Sequence, residues 1–180
     1  MSQTFRIAMY LVVGLLALFM ITSVTAHRFD HYKQQMVYKP QFASMEEREK
    51  QLTCLARNIY YEAGFEPFEG KVAVAQVTLN RVESGKFAKD ICGVVYQKNV
   101  FYSKVVCQFS WFCESKHTTR PINALSYDES YEVAKKVLLE NFRLQGLKTA
   151  LYYHADYVNP RWKLDKITQI GRHIFYAERT

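Results

Sequence analysis

Glu62 stands three residues beyond Ile59 on a stripe formed by Leu52, Leu55, Ala56 and Ile59, the spacing of one face of a helix. A carboxyl that faces inward at the C-terminal end of a helix is pushed towards its protonated form twice. It loses solvent, and it feels the partial negative charge of the helix end. A carboxylic acid still neutral near pH 7 is a general acid, able to protonate a leaving oxygen. The structural alternative is a salt bridge to Arg57, Arg81 or Lys71. Glu66 and Glu69 follow closely. Glu66 falls at the start of a second helix, where free N–H groups favour the carboxylate, so a capping or structural role is expected and a second catalytic carboxylate is the alternative.

Other side chains suited to binding lie later. They are Gln108, Ser110 and Trp111 in CQFSWFC, Tyr153 and His154 in YYHA, Asn159, Pro160 and Trp162 in NPRW, and His173 in GRHIFY. Indole faces stack on sugar rings, and amide, hydroxyl and imidazole groups fix hydroxyls and acetamido carbonyls. His173 alternates with apolar neighbours, which suits a satisfied core histidine as well as a secondary site residue. A Ser110–His154 nucleophile pair has no G-x-S-x-G elbow to support it. Cys54, Cys92, Cys107 and Cys113 allow three disulfide pairings; the short 107–113 loop favours that bridge, with 54–92 as the other. No C-x-x-C or H-x-x-x-H spacing occurs, so neither a metal nor a cofactor is expected.

These residues need elements to position them. Ser44 with Glu47 reads as a capping box opening the first helix, and Gly64 is placed to end it in a left-handed cap. Pro67 suits the first position of a second helix, with Phe68, Val72, Ala75, Leu79 and Val82 on its buried face and Gly85 closing it. Ser126 with Glu129 announces a third, carrying Tyr131, Ala134, Val137, Leu138 and Phe142 on one face. Residues 91–111 read as loop with short helix or strand. Residues 150–155 and 170–177 read as strands, with Asn159-Pro160 as the turn between them. The expected class is α+β, a helical core with a small sheet late in the chain.

The chain has 180 residues, room for one domain. A net charge of +7, from 24 Lys and Arg against 17 Asp and Glu, favours an anionic partner. The cations are scattered and no nucleic-acid motif is present, which argues against nucleic acid. Arg6 precedes an uncharged apolar run, residues 7–26, that ends in Val24-Thr25-Ala26. The run reads as a signal peptide or as an uncleaved membrane anchor, which takes about 20 apolar residues. Either way the body is exported: periplasmic, secreted, or anchored at the outer face of the inner membrane. Residues 27–45 read as a linker and 46–180 as the working domain.

The segments LARNIYYEA (55–63), EPFEGKVAVAQVTLNRV (66–82), ICGVVYQ (91–97), CQFSW (107–111), ALYYHADYVNPRW (150–162) and IGRHIFY (170–176) together resemble the SleB/CwlJ-type cell wall hydrolases. The resemblance implies a lysozyme-like, lytic-transglycosylase-like helical core with a small antiparallel sheet. It implies peptidoglycan as partner, cut between N-acetylmuramic acid and N-acetylglucosamine by a monomer whose catalytic glutamate falls on Glu62. A lytic transglycosylase reaction follows, with a hydrolytic lysozyme-like muramidase as alternative. A non-catalytic, membrane-anchored wall-binding module and a peptide-cutting amidase or endopeptidase are the other readings. The family usually shows E-A-R-G-E where this chain has E-A-G-F-E, so the arginine is absent, and Lys71 or Arg161 is the candidate to replace it. The spore-lysis role does not carry over; a wall hydrolase of a bacterium or its phage is expected.

Overall fold

The computed structural model describes residues 3, 5, 9, 10, 12–20, 22, 41–114 and 119–179, in two compact units, Met1–Tyr38 and Lys39–Thr180. The described residues of the first unit are helical and exposed. Among the described residues no helix is long and apolar enough to cross a membrane. The Val24-Thr25-Ala26 cleavage site, residues 27–40 of the expected linker and several positions of the 7–26 run lie outside the described residues.

The second unit opens with α1, Met45–Ala63, capped by the Ser44 hydroxyl, which accepts from the Glu47 N–H at 3.0 Å. Leu52, Leu55, Ala56 and Ile59 are all buried, as their spacing predicts. The end of α1 corrects the expected left-handed cap. Gly64 is right-handed (φ −56°, ψ −30°). What this position requires is space, since a Cβ there would lie 2.4 Å from the Tyr60 carbonyl oxygen.

Helix α2, Phe68–Ser84, begins one residue later than expected, with Pro67 as N-cap and its carbonyl accepting from Lys71 N–H. Gly85, at φ +67°, closes it. The expected single apolar face is also corrected: every residue from 70 to 81 is buried, whereas Phe68 is exposed. The small residues Gly70, Ala73 and Ala75 let neighbours close around α2, and its polar residues are consumed inside. Gln76 exchanges hydrogen bonds with the backbone of Leu144 (2.8 and 3.3 Å), Asn80 donates to Leu147 and Ala150 carbonyls (2.7 and 2.9 Å), and Arg81 Nε donates to the Leu151 carbonyl (2.8 Å). An irregular segment has no ladder to satisfy its backbone, so a buried one needs side-chain partners. Here α2 supplies them, and so sets where the following strand starts.

Short α3, Ile91–Val95, is capped by Asp90 and bound to α1 by the Cys54–Cys92 disulfide. Strands β1, Lys98–Phe101, and β2, Lys104–Cys107, form an antiparallel hairpin that leads into α4, Ser110–Cys113, and Cys107–Cys113 is bonded. Both favoured disulfides are thus present. Helix α5, Ala124–Leu138, starts two residues before the predicted cap: Asn123, not Ser126, is the N-cap, its Oδ1 accepting from the Ser126 N–H at 3.0 Å. Its buried face is Ser130, Val133, Ala134, Val137 and Leu138, while Tyr131 is partly buried and Phe142 lies beyond the helix against Phe68. Asn123→Ala is expected to cost about 1 kcal/mol in urea unfolding, and Ser126→Ala well under half of that; equal losses would contradict the assignment.

The second sheet is built from β3, Tyr152–Ala155, β4, Asp165–Ile170, and β5, His173–Ala177, in the spatial order β3-β5-β4 and antiparallel throughout. Two strands were expected here and three occur. Asn159-Pro160 therefore lies in the β3–β4 connection, and the turn into β5 is made at Gly171 and Arg172, with Gly171 at φ +55°. The result is a helical core with two small antiparallel sheets.

Candidate active site

Glu62 occupies the last turn of α1, partly buried, with its carboxyl desolvated. The Tyr153 hydroxyl, delivered by β3, donates to its Oε2 at 3.1 Å. Burial is the largest influence on the Glu62 carboxyl and raises it to about 7; the Tyr153 hydrogen bond and the Arg81 charge pull it down, and Glu114 pushes it up. Burial likewise holds Tyr153 well above its ordinary value, with the Glu62 charge acting in the same direction. The tyrosine is therefore a donor and stays one. Among the described residues no cation lies within salt-bridge distance of Glu62. Lys71 is taken by Glu129 at 2.7 Å, and Arg161 sits in the exposed connection at φ +52°. Neither is paired with Glu62.

The predicted binding residues divide between two faces of the sheet. Successive strand residues point to opposite sides. Tyr153 is on the α1 side, with the His173 and Phe175 rings at 5.2 and 5.6 Å. His154 is on the other side, stacked on Tyr176 at 5.2 Å and meeting Trp162 at 5.5 Å, edge on. Its ring nitrogens are engaged by the Ala155 carbonyl (2.8 Å) and the Tyr176 hydroxyl (2.9 Å), which leaves nothing for a pair with Ser110. Trp162 is 43% exposed in this outer aromatic cluster, and Asn159 is exposed, its Oδ1 accepting from the Arg161 N–H at 3.4 Å.

Trp111, expected as a surface for sugar stacking, is instead 3% exposed. Its ring stacks on Tyr61 at 4.4 Å and its Nε1 donates to the buried Asn58 at 3.0 Å, while Asn58 donates to Thr78. It is a core residue that fixes α4 against α1. Gln108 is partly buried and Ser110 is exposed at the start of α4.

Glu66 accepts from the Arg172 N–H at 3.1 and 3.3 Å and lies 3.6 Å from His173 Nδ1. A Cβ on Gly171 would come within 1.9 Å of its Oε2. Glu66 thus fastens the β4–β5 turn to the start of α2, a structural role other than the expected cap. His173 is buried but not satisfied, for its Nδ1 has no hydrogen-bond partner among the described residues. Burial pushes the ring towards the neutral form, against the pull of Glu66.

Two residues of the site went unassigned in the sequence. Glu114, just after α4, adds negative charge near Glu62, and Arg81, weighed only as a salt-bridge partner, is a buried cation behind Tyr153. The signal for Arg81 was a charged residue in an otherwise buried helical run.

A family model described as Cell Wall Hydrolase matches residues 65–176, a span beginning three residues after Glu62. The chain is 30% identical over 128 residues to the spore cortex-lytic enzymes of Bacillus cereus and Bacillus subtilis (strain 168), covering 69% of this chain and 43% and 36% of theirs. It therefore spans less than half the length of these curated relatives. Among solved structures it is similar to the catalytic domain of the Bacillus cereus SleB protein. The TM-score is 0.54 at 25% identity, over 76% of this chain and 94% of that one. It is equally similar to the catalytic domain of the germination-specific lytic transglycosylase SleB from Bacillus anthracis, with TM-score 0.54 and 25% identity, over 76% and 98% of the two chains.

Proposed function

We propose, from the premise that this chain belongs to the cell wall hydrolase family, that it cleaves peptidoglycan glycan strands between N-acetylmuramic acid and N-acetylglucosamine, with Glu62 as general acid and then base. The observation that carries this reading is a desolvated carboxyl raised to about 7 and aimed by a tyrosine hydroxyl 3.1 Å away. Half of such carboxyls hold a proton at neutral pH, the condition under which a carboxylic acid both donates and later accepts. Glu62 gives its proton to the glycosidic oxygen as the bond to the muramyl anomeric carbon breaks. Its carboxylate then takes the proton of the muramyl 6-hydroxyl, whose oxygen bonds to that carbon and closes a 1,6-anhydro ring. No second carboxylate is consumed, which agrees with Glu66 being committed to the β4–β5 turn. The likeness to a SleB domain described as a lytic transglycosylase supports this chemistry over hydrolysis.

We further assign the catalytic domain to residues 46–180, with a lysozyme-like core and action as a monomer. It works outside the cytoplasm: two disulfides suit an oxidising compartment, and the apolar run 7–26 suits export or anchoring. Digestion of purified peptidoglycan tests the reading. Soluble disaccharide–peptides lighter by one water than their reducing-end counterparts are expected in mass spectrometry. Reducing ends alone would replace the lytic reaction by hydrolysis, and no soluble product would overturn the function.

A further inference from the structure

Arg81 is only 4% exposed, yet among the described residues no carboxylate lies within salt-bridge distance of it. Its Nε is held by the Leu151 carbonyl at 2.8 Å, and its Nη1 is buried without a hydrogen-bond partner. The guanidinium carbon lies 5.0 Å from the Phe109 ring centroid, 5.3 Å from that of Phe87 and 5.9 Å from that of Tyr153. Ring faces attract a cation, but they do not replace a counter-ion, and a buried charge without one is expensive. Leu151 lies two residues before Tyr153, so one side chain grips both the approach to β3 and the ring whose hydroxyl reaches Glu62.

We propose that Arg81 is a positioning residue for Glu62: it holds Tyr153 against the carboxyl, and its otherwise uncompensated charge stabilises the carboxylate that remains once the proton has been given away. The proposal rests on the reading of Glu62 as the acid, but the coupling it asserts is independent of activity. In the resting site the guanidinium is compensated only in part, because Glu62 is half protonated. Proton transfer to substrate completes a cation–anion pair across Tyr153, so the cost of burying Arg81 is relieved at the moment of catalysis and not before. The other ionisable groups facing the pair are Tyr152 and Tyr153 from β3, Glu114 after α4, and His173 from β5 against the Tyr153 ring. None of these supplies a fixed positive charge, which comes from Arg81.

The test is a carbon-13 NMR titration of the Glu62 carboxyl in the full-length protein. Arg81→Gln, which keeps a donor for Leu151 but no charge, is expected to raise the midpoint by about one pH unit or more. Arg81→Lys is expected to fall between Gln and wild type. An unchanged midpoint in a folded Arg81→Gln protein overturns the proposal. Should that variant not fold, the wild-type protein decides: the Arg81 Nε–H resonance is expected to titrate with the Glu62 midpoint and to lose that step in Glu62→Gln. A wild-type resonance without that step overturns it. An arginine not coupled to the Glu62 carboxyl would move neither signal. Failure of the catalytic reading would appear separately, as peptidoglycan cleavage that survives Glu62→Gln.

Discussion

Glu62→Gln is expected to lower release of soluble fragments from peptidoglycan by on the order of 10²–10⁴-fold, the usual contribution of a general acid. The folded protein should at the same time become more stable than wild type as pH rises. The sign follows from linkage. The folded-state value of Glu62, about 7, lies above its ordinary 4.5, so the native protein binds this proton more tightly than the unfolded chain does. The stability associated with that proton is complete below pH 4.5 and is lost as pH rises through 7. The loss is about 3 kcal/mol. Glutamine has no proton to lose and no charge to bury, so the stability difference in its favour should widen by that amount between pH 4 and pH 8. Paired denaturant titrations across this range measure it. Stability curves that run parallel would mean that Glu62 is not desolvated, and undiminished cleavage would remove it from the mechanism.

The position of Glu62 was legible because α1 carries an uninterrupted apolar stripe and a hydroxyl cap, both local signals. The disulfides were legible through loop length alone. Tyr153 was harder. ALYYHA offers two tyrosines on opposite strand faces, and which faces α1 depends on the register of β3 on β5 and on where Asn80 and Arg81 hold the preceding carbonyls. Those are contacts some 70 residues apart in the chain. Trp111 misled because an indole serves a sugar or a core equally well, and the deciding partner, Asn58, lies on another helix. Strand β4 was missed because DKITQI carries only two apolar residues and half of its positions are exposed. The start of α5 was misplaced because Ser126 and Glu129 have capping-box spacing, whereas the side chain that takes up a free N–H there is that of Asn123, three residues earlier, on Ser126.

The E-A-G-F-E departure takes on a physical meaning in this backbone. A side chain at position 64 would run into the Tyr60 carbonyl, so restoring the family arginine there would require the end of α1 to move. Phe65, the other changed residue, is fully exposed and touches nothing that aims Glu62. The orienting contact comes instead from across the site, through Tyr153, with Arg81 behind it.

Tyr153→Phe separates aiming from packing. The ring keeps its place between His173 and Phe175, and only the hydroxyl on Glu62 Oε2 is lost. That hydrogen bond lowers the Glu62 value, so its removal raises it further. The alkaline limb of kcat/KM, which follows loss of the Glu62 proton in the free enzyme, is therefore expected at higher pH than in wild type. The maximum should meanwhile fall by roughly 10–100-fold, because a carboxyl free to rotate is presented to the leaving oxygen less often and is a weaker acid when it arrives. The two effects oppose each other above neutrality, so the deficit of the variant should shrink as pH rises from 6 to 9. A deficit that is constant across that range would show that the hydroxyl matters only to packing, and a limb moved to lower pH would reverse the assigned direction of the hydrogen bond.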